Sequence, residues 1–193
     1  DVTGTGSYAA EKVAGLAGFK LTVNGLTGGH SGMDIHLGRG NANKLMNRIL
    51  LQAAGKFGLR IHSIDGGSLR NAIPRESFAV VGIPSGNVDA FQQFLTAEAA
   101  AITAEHRTTD PQIHVGGEAI GAPENVLPLD FQRNLLAVLA GCPNGIYRMS
   151  PDIPGLVQTS TNMGLCEIKD GSVEICFLTR SSIDSSKAAL SGR

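Results

Sequence analysis

Apolar and polar positions alternate in "FKLTVNGL" (19–26), where Phe19, Leu21 and Val23 oppose Lys20, Thr22 and Asn24, so the segment predicts a half-buried strand. From Asn41 the period lengthens. Ala42, Leu45, Met46, Ile49, Leu50, Ala53 and Phe57 recur at helical spacing, with Asn41 as N-cap and Gly58 as stop. "LRIHSIDGG" and "ESFAVVGI" predict two further strands. Val88, Phe91, Leu95, Ala99 and Ile102 form the stripe of a second helix over 87–106. A short strand follows in "IHVGGEAI", then a third helix that opens near Pro128 and closes at Gly141. Residues 142–156 read as a Pro/Gly-rich loop. "LVQTSTNMGLCEIKDGSVEICFLTRS" predicts two strands joined at Asp170-Gly171, and "SSIDSSKAALSG" a last helix. Residues 1–18, small and Gly-rich, read as an irregular lead-in.

The order is β-α-β-β-α-β, then α-β-β-α. It predicts an α+β two-layer sandwich: a ferredoxin-like βαββαβ unit whose antiparallel sheet, covered on one face by helices, is widened by the extra α-β-β-α section. The 193 residues suffice for a sizeable core, and 42% hydrophobic with 17% charged residues is a globular balance. A net charge of −1 offers no basic field for nucleic acid or an anionic membrane, and no apolar run nears the roughly 20 residues of a bilayer span. The three cysteines, Cys142, Cys166 and Cys176, are odd in number and lack CxxC spacing, so reduced thiols in a cytoplasmic protein are expected. Cys166 and Cys176 flank a turn and would face each other only in some hairpin registers. The chain begins at Asp1 without Met, which is expected of a piece of something longer.

Candidate chemistry is sparse. His30 sits between two glycine pairs in "GGHSG", which permit positive φ and close backbone approach. An imidazole so mounted can donate to an oxyanion or move a proton; equally, the glycines can serve the bend alone. His30 and His36 lack the i, i+4 spacing of a metal pair. Asn71, beside Arg70 in "LRNAIP", offers donor and acceptor to a ligand or stabilises a turn. Arg180 ends a strand, where a guanidinium can meet a ligand carboxylate or simply a surface acid. Asp34, Glu118, Glu124 and Asp152 show no pairing along the sequence. There is no phosphate loop and no GxSxG elbow, and nothing orients Ser31 with His30 as a self-contained hydrolase.

Taken together, "GLTGGHSGMDIHLGRGNANKLMNRIL", "GGSLRNAIPRES" and "EICFLTRSSIDS" resemble the di-zinc metallopeptidases that include the aminoacyl-histidine dipeptidases, closest to the bacterial Xaa-His branch that cleaves carnosine-like and other dipeptides. The resemblance runs over nearly the whole chain. It implies the lid or dimerisation domain (19–193, after the lead-in of 1–18) inserted in a catalytic domain. That catalytic domain carries the two zinc ions on a His-x-Asp motif, a bridging Asp, a Glu-Glu pair and a later His. Neither His-x-Asp nor Glu-Glu occurs in this chain, so no metal ligand is assigned here and the isolated chain is expected to be inactive.

By the same resemblance, His30 matches the lid histidine that enters the partner subunit's active site and stabilises the oxyanion. Asn71 matches a lid asparagine on the substrate, and Arg180 a lid arginine on its terminal carboxylate. The implied chemistry is hydrolysis by a zinc-activated water in a cytoplasmic homodimer, gated by lid closure. The competing expectation is a free-standing ferredoxin-like module that binds a small ligand or a partner through His30 and Arg180.

Overall fold

The computed structural model describes residues 1–192, and it begins with a strand rather than an irregular lead-in. Strand β1, Val2–Ser7, pairs antiparallel along the edge of the main sheet, and β2, Leu16–Asn24, also starts inside the expected lead-in. Five of the six residues of β1 are exposed, so no apolar period announces it. It is held as the edge strand by backbone pairing with residues 172–177, which needs no hydrophobic side chains.

In β2 the alternation holds: Phe19, Leu21 and Val23 are buried and Lys20 is exposed. A two-residue strand β3, Gly29–His30, precedes helix α1, Ala42–Phe57. The Asn41 side chain caps α1 by accepting from the amides of Asn43 and Lys44, and Gly58 ends it at φ 68°. Its inner face buries Leu45, Met46, Ile49 and Leu50, each worth roughly 1.5–3 kcal/mol. Then come β4 (Arg60–Gly66), β5 (Ala72–Ile73), β6 (Ser77–Pro84), α2 (Val88–His106), β7 (His114–Ile120) and α3 (Leu129–Gly141). The expected loop 142–156 contains a strand, β8 (Gly145–Met149), paired with the start of β9. Its side chains are mostly exposed, so it too lacks a burial period. β9 (Val157–Lys169), β10 (Ser172–Ser181) and α4 (Asp184–Ser191) complete the chain.

The sheet runs β1-β10-β9-β4-β6-β2-β7, all antiparallel, with β8 beside the outer end of β9. The segment β7-β2-β6-β4 is the fourth-first-third-second order of a ferredoxin-like unit, and β9, β10 and β1 widen it as expected. Helices α1, α2 and α3 share one hydrophobic core with the sheet, in which Phe91 meets Phe19 edge-on at 5.3 Å.

β9 and β10 lose register once. Cys176 pairs with Leu165 and Phe177 with Met163, leaving Gly164 as an extra residue, a β-bulge. Cys166 lies opposite Ile175, not Cys176, and all three cysteines are free thiols.

Buried Asp110 joins two loops near α1. It accepts from the Thr27 amide at 2.9 Å, the Gly40 amide at 2.8 Å and the Thr109 hydroxyl at 2.8 Å.

Candidate functional site: a clamped histidine turn beside an unpaired arginine

His30 is held by its own backbone. Its backbone pairs with Ala72 in the small β3–β5 sheet. Its amide donates to Asp34 Oδ2 at 2.8 Å, and the Asp34 amide donates back to the His30 carbonyl at 2.9 Å. Arg39 lies 3.6 Å from the same carboxylate and donates to the Gly28 carbonyl at 2.6 Å. Two glycines make this possible. Gly28 and Gly29 have φ of 63° and 140°. A Cβ on Gly29 would stand 2.5 Å from Arg39 Nη1 and 2.6 Å from Asp34 Oδ2. Asp34 is therefore paired, although its place in the sequence showed no partner.

The turn also fixes the ring. Nδ1 of His30 accepts from the amides of Gly32 (3.2 Å) and Met33 (3.0 Å). A nitrogen that accepts twice carries no proton, so the neutral ring holds its proton at Nε2, which makes no hydrogen bond to another described residue. His36 is exposed on the following 3-10 turn and takes no part.

Asn71 lies on the neighbouring loop, whose carbonyl accepts from the Ser31 amide at 2.9 Å. Its exposed side chain has no hydrogen bond within the described residues, so it is not a turn stabiliser. The loop is held from below by fully buried Asn162 of β9, which donates to the carbonyls of Ala72 (2.8 Å) and Arg70 (3.4 Å). Asn162 Oδ1 in turn accepts from the cap residue Asn41 at 3.3 Å. The bulge glycine provides the clearance: a Cβ on Gly164 would lie 2.7 Å from the Arg70 Cα.

Arg180, near the end of β10, reaches the same place. A Cβ on Gly32 would meet Arg180 Nε at 3.1 Å and His30 Cε1 at 3.2 Å, so the two side chains flank one glycine. Arg180 Nε is buried without a hydrogen bond, and Arg180 forms no ion pair among the described residues. A surface salt bridge is thus not its role. Asn71, with Ser68 and Leu69, lines two clefts, one of about 740 Å³ with His30 and Arg75 in its wall, the other of about 670 Å³ with Arg180 and Leu165.

The profile of the peptidase dimerisation domain of the M20 type matches residues 13–110. The chain belongs to this family. The dimerisation domain is 38% identical over 174 residues to the cytosol non-specific dipeptidase of Escherichia coli (strain K12), covering 90% of this chain and 36% of that protein. It superposes on the crystal structure of aminoacylhistidine dipeptidase from Vibrio alginolyticus with a TM-score of 0.95 at 38% identity, over 98% of this chain and 39% of that one. The chain therefore spans little more than a third of the relatives it matches.

Among its described residues the dimerisation domain has no group of three His, Cys, Asp or Glu that could hold a metal ion. The zinc pair implied by the sequence resemblance thus finds no ligand set on these residues. The three residues singled out in the sequence, His30, Asn71 and Arg180, do come together. Sequence reasoning missed Asp34 and Asn162. The first sits one turn after His30, a spacing that could have flagged it; the second had no local signal.

Proposed function

We propose that this chain is the lid and dimerisation domain of a metal-dependent dipeptidase, a cytoplasmic homodimer in which the lid of one subunit completes the active site of the other. The observation that supports it best is the His30 ring, held as the Nε2–H tautomer beside an arginine that has no acid of its own. The names of the two relatives, one of them a cytosol enzyme, support the substrate class and compartment.

In this reading water adds to the carbonyl carbon of a dipeptide, the C–N bond breaks, and the products leave as two amino acids. The carbonyl oxygen becomes an oxyanion on the way. The His30 Nε2–H donates to that oxygen, where charge grows in the transition state. Arg180 binds the substrate's terminal carboxylate, which sets the length of peptide accepted, and Asn71 offers its amide to the same substrate. The metal, proposed to be two zinc ions, and the group that activates water belong to residues outside this chain. The competing reading, a free-standing ligand-binding module, lacks support from relatives in which this fold fills little more than a third of the polypeptide.

The test is steady-state kinetics of the complete enzyme carrying this domain. His30→Ala is expected to lower kcat by about 10²–10³-fold, the loss that follows removal of one oxyanion donor. Unchanged turnover would reject the role. Arg180→Ala is expected to impair dipeptides with a free carboxylate far more than their C-terminal amides.

A further inference from the structure

We infer that Asp34 is a positioning residue for His30: its carboxylate clamps the turn whose Gly32 and Met33 amides keep the imidazole in the Nε2–H tautomer. This rests on the reading of His30 as an oxyanion donor and adds to it the device that makes the donor reliable.

The clamp is reciprocal. The Asp34 carboxylate takes the His30 amide at 2.8 Å while the Asp34 amide takes the His30 carbonyl at 2.9 Å, closing residues 30–34 into one ring. The amides that hold Nδ1 belong to Gly32 and Met33, inside that ring. Arg39, 3.6 Å from the carboxylate, fixes the Asp34 side chain from outside and is itself anchored on the Gly28 carbonyl at 2.6 Å. A helix-bound turn has no general need of such a carboxylate. Here the chain makes room for it by placing Gly29 at φ 140°, where any Cβ would collide with both Asp34 and Arg39.

The chemical consequence concerns which nitrogen donates. With its two amide donors in place, Nδ1 is an acceptor and Nε2 must carry the proton. If the turn opens, the ring is free to carry its proton on Nδ1. Nε2 then presents a lone pair to the developing oxyanion, and a donor has become a repelling acceptor. Asp34 thus acts through His30, not by touching substrate.

The experiment is a double-mutant cycle in the complete enzyme, with KM and kcat measured separately, joined to ¹⁵N chemical shifts of the His30 ring in histidine-labelled protein. Asp34→Ala is expected to lower kcat by about 10-fold or more with KM little changed. Combined with His30→Ala it should add almost nothing, because the residue it positions is gone. Asp34→Asn, which keeps an oxygen for the His30 amide, should recover most of the lost turnover. The Nδ1 shift should read as unprotonated in the parent and as a tautomer mixture in Asp34→Ala. Wild-type kcat in Asp34→Ala, or a loss that adds fully to that of His30→Ala, overturns the inference. If His30→Ala itself leaves kcat unchanged, the donor reading fails; the ring shifts still decide the positioning claim, and an unchanged tautomer in Asp34→Ala overturns it.

Discussion

The Ser31 amide donates to the Asn71 carbonyl at 2.9 Å, directly after the backbone pair of His30 with Ala72. The histidine turn and the asparagine loop are therefore one hydrogen-bonded unit. A disturbance in either is transmitted to the other through this two-residue ladder.

Gly29 is where that unit tolerates least. Its φ of 140° excludes ordinary side chains, and a Cβ would lie 2.5 Å from Arg39 Nη1. Gly29→Ala is expected to destabilise the chain by about 1–3 kcal/mol. In the complete enzyme it should lower kcat as far as His30→Ala does. A thermal melt and a kinetic assay on the same preparation check both.

Asn162 supports the Asn71 loop with two carbonyl contacts and accepts from Asn41, all while fully buried. Asn162→Ala removes the side-chain donor to those carbonyls, which costs roughly 1–3 kcal/mol, whereas the Asn41 amide keeps Asn144 Oδ1 and the Met163 carbonyl as acceptors. Urea unfolding should show a lower midpoint at unchanged slope. A midpoint equal to the parent's would mean that the loop is held by its other contacts.

Asp110 gives stability a pH dependence of known sign. Burial raises its pKa, but the Gly40 and Thr27 amides, the Thr109 hydroxyl and nearby His106 outweigh this and hold it below the ordinary value. Between the folded and unfolded values the unfolded chain binds more protons, so stability rises with pH there. The contribution is complete above the unfolded value of about 3.9 and is lost as pH falls through the folded one. Asp110→Asn sets an NH₂ against one of the donors. It should cost about 2 kcal/mol at neutral pH and flatten the acid limb of a stability–pH curve.

The thiols should react in a fixed order. Cys142 is partly exposed, whereas Cys166 is buried and its pKa is pushed up to about 12 by burial, with Asp65 adding to the shift. Alkylation near neutral pH, followed by mass spectrometry of digested peptides, should modify Cys142 first. Cys166 should label only as the chain unfolds, because the thiolate is the reactive form.

Much of this was legible in the sequence wherever side-chain burial carries the signal. The Asn41 cap, the inner face of α1 and the Asp170-Gly171 turn follow from residue type and spacing alone. β1 and β8 were not legible because they are held by backbone pairing at a sheet margin, with exposed side chains. In the site, the glycines around His30 marked a special turn, but their reason was hidden. They admit a carboxylate and a guanidinium, and do not supply looseness. Asn71 and Arg180 are 109 positions apart; only the sheet order makes them neighbours of His30, and no local pattern in the sequence shows that.

The extra residue at Gly164 makes β9 change parity. Beyond it toward the outer end, odd-numbered Thr161 and Met163 lie on the helix side; before the hairpin turn, even-numbered Cys166 and Ile168 do. Because strand side chains alternate, adding or deleting one residue in β9 would exchange the two faces of whichever half of the strand slips. A change of one residue keeps the faces only where a bulge absorbs it, as at Gly164. The distance from the ferredoxin-like core to Asn162 and Arg180 along the two strands is otherwise counted in residue pairs, and a single-residue indel that no bulge absorbs acts as an inversion rather than a small shift.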